Sequence, residues 1–92
     1  MKTIIVDPDV IAREVAGESV ILDLKTGRYL GLDEVGSRIW SVLLQSGSVE
    51  VACETLVEEY DVDPTRLRSD VLELVDKLVA HGLVMIKDDP SA

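Results

Sequence analysis

The stretch Glu18–Trp40, ESVILDLKTGRYLGLDEVGSRIW, constrains what this chain can fold into more than any other segment. Ser19–Leu24 alternates as a strand does, with Val20, Leu22 and Leu24 at every second position. Lys25-Thr26-Gly27 suits a three-residue hairpin loop in which Gly27 takes the positive-φ position. Under that loop Asp23 faces Tyr29, Leu22 faces Leu30 and Val20 faces Leu32. This register puts Val20, Leu22, Leu30 and Leu32 on the core side and leaves Ile21 and Tyr29 on the other. The chain turns helical directly after the return strand Arg28–Leu32. That strand is therefore expected at a sheet edge, where unpaired N–H and C=O groups are open to an extended peptide.

Two weaker strands precede the hairpin. Thr3–Val6 is a β-branched run ended by Asp7-Pro8, and Val10–Val15 is an apolar-polar stretch. Three helices follow it. Asp33 is a suitable N-cap for the first, which carries Val35, Ile39, Val42 and Leu43 at helical spacing with Trp40 beside them. Trp40 is assigned to the core, because large aromatics are scarce in this chain. Gly47 ends that helix and Ser48 caps the next, whose stripe is Val49, Ala52, Cys53, Leu56, Val57 and Tyr60. Asp63-Pro64 opens the third, with Asp as cap and Pro at the first helical position, and Gly82 stops it after His81. Its central stripe is Leu67, Val71, Leu74 and Leu78. Leu72, Val75 and Val79 widen the stripe to about 160° at 100° per residue, which is more than one neighbouring layer needs. Leu83–Ile86 is a closing strand or an apolar tail laid on the core. The order predicts an α+β fold of winged helix-turn-helix type, a three-stranded antiparallel sheet followed by three helices. It forms one domain over residues 1–87, with 88–92 as a disordered tail.

The charge narrows the partners. The chain carries a formal charge of −9, and residues 33–60 hold six acidic groups against one basic. Such a surface disfavours nucleic acid and anionic membranes and favours basic partners. A winged-helix DNA-binding regulator is the alternative that the helix-turn-helix layout raises. On its candidate recognition helix, however, Arg66, Arg68 and Lys77 are cancelled by Asp70, Glu73 and Asp76. No signal peptide or membrane span fits the N-terminal residues, and a lone Cys53 suits a reducing cytosol, so the expected location is cytoplasmic. Cys53 and His81 are the two residues that suggest catalysis. Cys53 lies within a helix stripe as a small hydrophobe, and nothing places a base beside it. One Cys and one His fall short of a metal ligand set. Neither a catalytic residue, a metal nor a cofactor is expected.

The series Val20–Leu24, Thr26-Gly27, Tyr29-Leu30 before Leu32-Asp33, and Gly36 with Ile39-Trp40 resembles the PqqD-like family. These are peptide-recognition domains for ribosomally made, modified peptides (RiPP recognition elements). Glu59-Tyr60-Asp61-Val62-Asp63 and His81-Gly82-Leu83 fit the same pattern, so the resemblance spans roughly residues 9–86. Within the family the chain is most similar to the free-standing leader-binding proteins of lasso-peptide biosynthesis. The resemblance implies a non-catalytic adaptor. It also implies that a precursor's leader peptide adds a strand beside Arg28, Tyr29, Leu30, Gly31 and Leu32, against a wall formed by Leu67, Asp70, Val71, Leu74 and Lys77. It further implies a partner enzyme, a leader peptidase or another modifying enzyme. Within the family the alternative is a peptide chaperone of pyrroloquinoline quinone biosynthesis. In a homodimer the surplus apolar flank of the third helix would pair with itself.

Overall fold

The computed structural model describes residues 2–88, without the side chain of Asp88. Five strands and three helices follow in the order β1 (Lys2–Val6), β2 (Val10–Val15), β3 (Glu18–Asp23), β4 (Tyr29–Leu32), α1 (Glu34–Ser46), α2 (Val49–Tyr60), α3 (Pro64–Ala80) and β5 (Val84–Asp88). The three-stranded antiparallel sheet is present, with order β2-β3-β4. Leu83–Ile86 resolves as a closing strand: β5 pairs antiparallel with β1 in a second, two-stranded sheet. Asp88, assigned to the tail, has its backbone in that pair opposite Lys2. The rest of the expected tail lies outside the described residues.

Helix boundaries follow the capping chemistry. Asp33 Oδ1 accepts from Gly36 N–H at 2.7 Å, and Asp63 Oδ1 accepts from Thr65 N–H at 2.9 Å with Pro64 opening α3. Gly47 ends α1 at φ 68°, a left-handed conformation that suits glycine. Ser48 caps α2, accepting from Val51 N–H. Asp61 at the end of α2 is left-handed as well, so the turn into α3 contains an Asp in a conformation that Asn and Asp adopt more readily than most residues.

The core lies where the three helices meet the two sheets. Ile21, Leu43, Leu56, Leu78 and Leu83 are fully buried, and Trp40 joins them. The second sheet is stitched to the helices by polar contacts. Glu50 on α2 accepts from the Lys2 N–H at 3.1 and 3.3 Å, and Ile4 N–H donates to Gly47 C=O at 3.0 Å. A bidentate pair between Arg38 and Glu59, at 2.6–3.1 Å, ties α1 to α2.

The β3–β4 register differs from the sequence expectation by one residue. Leu22 faces Tyr29, Ile21 faces Leu30, Val20 faces Gly31 and Ser19 faces Leu32. The buried face of β3 is therefore Ser19, Ile21 and Asp23, while Val20 and Leu24 are 48% and 62% exposed. The loop is the physical cause. Asp23 closes it rather than Leu24. Asp23 C=O accepts from Gly27 N–H at 2.8 Å, its Oδ1 accepts from Lys25 N–H at 2.8 Å, and its N–H donates to Arg28 C=O at 2.9 Å. Thr26 Oγ1 accepts from Arg28 N–H at 3.2 Å. A four-residue loop, Leu24–Gly27, satisfies more polar groups than the three-residue one, and a one-residue slip turns every β3 side chain over. The facing on β4 is unchanged, with Leu32 buried, Leu30 half-buried, and Tyr29 and Gly31 exposed.

Candidate functional site

β4 is an edge strand, and the ladder shows which of its backbone groups are open. Asp23 N–H bonds to Arg28, so in the alternating pattern of antiparallel pairs Arg28, Leu30 and Leu32 turn their polar backbone groups toward β3. The other side of β3 agrees. Leu24 N–H donates to Asp9 C=O at 2.9 Å, so even-numbered β3 residues serve β2 and odd-numbered ones serve β4. Tyr29 and Gly31 are left with N–H and C=O groups pointing outward. Among the described residues no strand pairs with that edge.

The open edge borders a groove. A cavity of about 450 Å3 is lined by Leu30, Gly31, Leu32 and Asp33 on one side, Val35, Gly36 and Ile39 from α1, and Asp70, Glu73, Leu74 and Lys77 from α3. Leu32, Ile39 and Leu74 are nearly buried and form an apolar floor, while Val35 stands 56% exposed at the rim. A second hollow of about 400 Å3 at the start of β4 is lined by Gly27, Arg28, Tyr29, Ala80 and His81.

Of the ten residues singled out from sequence, Leu30, Gly31, Leu32, Asp70, Leu74 and Lys77 come together in the groove. Arg28 and Tyr29 line the neighbouring hollow. Leu67 and Val71 do not line either. Val71 is fully buried and Leu67 is 7% exposed, both packed in the core behind the α3 face that carries Asp70, Leu74 and Lys77. The groove also takes in Asp33, Val35, Gly36, Ile39 and Glu73, which the sequence reading uses as a cap (Asp33), helix-stripe residues (Val35, Ile39), part of the family pattern (Gly36) and a countercharge on the third helix (Glu73). The signal for Val35 was present. It is an apolar residue two positions after the Asp33 cap, in the first turn of α1, and the stripe that it opens continues through Ile39 into the same groove.

The two residues that suggested catalysis sit apart in role. Burial pushes the Cys53 thiol up, away from the nucleophilic thiolate, and Cys53 packs in the core. His81 Nδ1 lies 2.8 Å from Lys77 C=O. A carbonyl only accepts, so Nδ1 carries the proton and the ring caps the end of α3. Among the described residues no group of three His, Cys, Asp or Glu side chains could hold a metal ion, and no helix is long and apolar enough to cross a membrane.

Residues 18–84 match the family described as coenzyme PQQ synthesis protein D (PqqD). The chain belongs to the PqqD family. Two solved structures share its fold across nearly their whole length. One is TbiB1 in complex with the TbiA(beta) leader peptide, 33% identical, with a TM-score of 0.82 over 92% of this chain and 99% of that one. The other is lasso peptide synthetase B1 complexed with the leader peptide, 25% identical, with a TM-score of 0.79 over 90% and 98%. No curated protein matches the chain. The PqqD-like resemblance read from Glu18–Trp40 is thus established, and with it the α+β fold of a three-stranded sheet and three helices.

Proposed function

We propose that this protein is a recognition element for the leader of a ribosomally made precursor peptide, acting in lasso-peptide biosynthesis. The observation that carries the reading is the outward-facing edge at Tyr29 and Gly31 beside an apolar groove closed by α3. An extended leader segment adds to β4, drawing affinity from main-chain hydrogen bonds with Tyr29 and Gly31. Its alternate side chains enter the groove over Leu30, Leu32, Ile39 and Leu74. Binding must outweigh the entropy lost when a disordered leader becomes ordered, so a few buried anchors dominate. The likeness to two structures solved with leader peptides supports this reading.

The protein itself does no chemistry in this account. It presents the bound leader to a separate enzyme, a leader peptidase or another modifying enzyme, in the cytoplasm. The family description favours one second reading, a peptide chaperone of pyrroloquinoline quinone synthesis. Titration of a labelled leader, taken from the precursor encoded beside this protein, tests the function by fluorescence anisotropy. Saturable binding at micromolar or tighter, about −8 kcal/mol or better, supports it. Absence of binding at high protein concentration overturns it. The peptidase step is tested separately, by the rate of leader removal from the precursor with and without this protein. An unchanged rate excludes delivery.

A further inference from the structure

The groove beside β4 is charged with a direction. Arg28 and Tyr29 share a hollow with Ala80 and His81 at the end of α3, while Leu30–Asp33 line the groove with Asp70, Glu73, Leu74 and Lys77. β4 and α3 therefore run in opposite senses along it. At the Leu32 end stand Asp33, Asp70 and Glu73. At the Tyr29 end stand Lys77, Arg28 and His81. Asp70, Leu74 and Lys77 follow one another at i, i+4 and i+7, so one helix face carries acid, apolar and base in order. Asp70, Glu73 and Lys77 are exposed, and none of them enters an ion pair among the described residues. The acidic and basic ends are thus open to charges brought by a ligand.

From this polarity we infer that the groove selects the charge order of the leader and so fixes its direction. This inference rests on the leader-binding reading. The preferred ligand is an extended peptide with an apolar anchor over Leu30, Leu32 and Leu74. It carries a Lys or Arg on the Asp33–Asp70 side and an Asp or Glu on the Lys77–Arg28 side. Seven residues of helix separate Asp70 from Lys77, a rise of about 10 Å. Side chains on one face of a strand recur roughly every 7 Å. The two charged leader residues therefore lie two or four positions apart on the same face. A leader entering in the opposite sense meets like charges at both ends.

The test uses the intact protein and a fluorescent peptide spanning the leader of the precursor encoded beside it. Asp70→Lys and Lys77→Glu change exposed side chains, and thermal melts confirm that both variants fold. Each is titrated against the native leader and against leader variants in which single charged residues are reversed. Asp70→Lys is expected to weaken the native leader about threefold or more, the range of an exposed charge pair. Reversal of one basic leader residue to Glu restores that loss. Lys77→Glu couples in the same way to one acidic leader residue, two or four positions away. Native-leader affinity that stays within twofold for both variants overturns the inference and leaves leader binding standing. Weakening that no leader reversal restores also overturns it. Failure of the unmodified protein to bind the leader overturns both.

Discussion

Replacing Gly31 with proline removes a single donor on which the proposed strand addition depends. The ladder alternation points Gly31 N–H away from β3, toward the side on which the proposed leader strand would add. Proline deletes that N–H while the Leu30 and Leu32 ladder bonds remain. The free protein has room for it. Gly31 is not in the left-handed region, a Cβ there meets nothing within 4 Å, and edge strands tolerate proline. Its melting temperature is expected to move by only a few degrees. The complex loses one main-chain hydrogen bond, about 0.5–1.5 kcal/mol, and strands a leader carbonyl at about 1–3 kcal/mol. Together these predict a loss of leader affinity of roughly tenfold to a thousandfold. Gly31→Ala keeps the N–H and turns its methyl to the Tyr29 side, so its affinity is expected within about twofold of the native value. Anisotropy titration of the three proteins with labelled leader is the assay. A folded Gly31→Pro protein with native affinity would refute the reasoning.

Three further outcomes follow from the same geometry. Val35→Ala is expected to weaken the leader about fivefold without loss of stability, because the side chain is largely exposed until the groove is filled; an unchanged Kd would exclude Val35 from the contact. Ile21→Ala should destabilise the domain by about 2–5 kcal/mol and Val20→Ala by about 0.5 kcal/mol or less, in denaturant melts, since only Ile21 faces the core; the reverse order would restore the three-residue loop register. Burial pushes the Glu50 carboxyl up, but hydrogen bonds from its own N–H, the Lys2 N–H and the Ser48 hydroxyl outweigh this and hold it low. Arg38 holds Glu59 low by its hydrogen bond and charge. A carboxyl lowered in the folded state contributes stability above its ordinary value near 4.5, lost as pH falls through the folded value. Melting temperature should drop below about pH 4.5, and Glu50→Gln should flatten that limb; an unaltered limb would contradict it.

The parts of the fold set by local chemistry were legible in the chain. Asp33, Gly47, Ser48 and Asp63-Pro64 mark helix ends because their side chains or conformations satisfy terminal backbone groups. The edge position of β4 and the inward facing of Leu30 and Leu32 were legible from alternation followed at once by a helix cap. The β3 register was not. The apolar pattern Val20-Leu22-Leu24 favours one face, whereas three hydrogen bonds to Asp23 in the turn set the other, and pattern alone does not weigh them. The β2–β3 turn at Ala16-Gly17, with both residues at positive φ, also lacks a strong signal because Ala is rare there. On α3, periodicity gives the apolar stripe without its rotation, so it does not separate Leu67 and Val71, which the family resemblance places in the groove wall and which fill the core, from the residues that line the groove. Asp70, Leu74 and Lys77 became distinguishable from them only once β4 and α1 were placed.

Backbone amide exchange of the free and leader-bound protein tests strand addition most directly. The other sheet edge, β2, supplies the internal control, since its Ala12 and Glu14 also point outward by the same alternation. The account predicts that leader binding slows exchange at the Tyr29 and Gly31 amides and leaves Ala12 and Glu14 unchanged. Protection at Ala12 and Glu14, or binding with no protection at Tyr29 and Gly31, would contradict it.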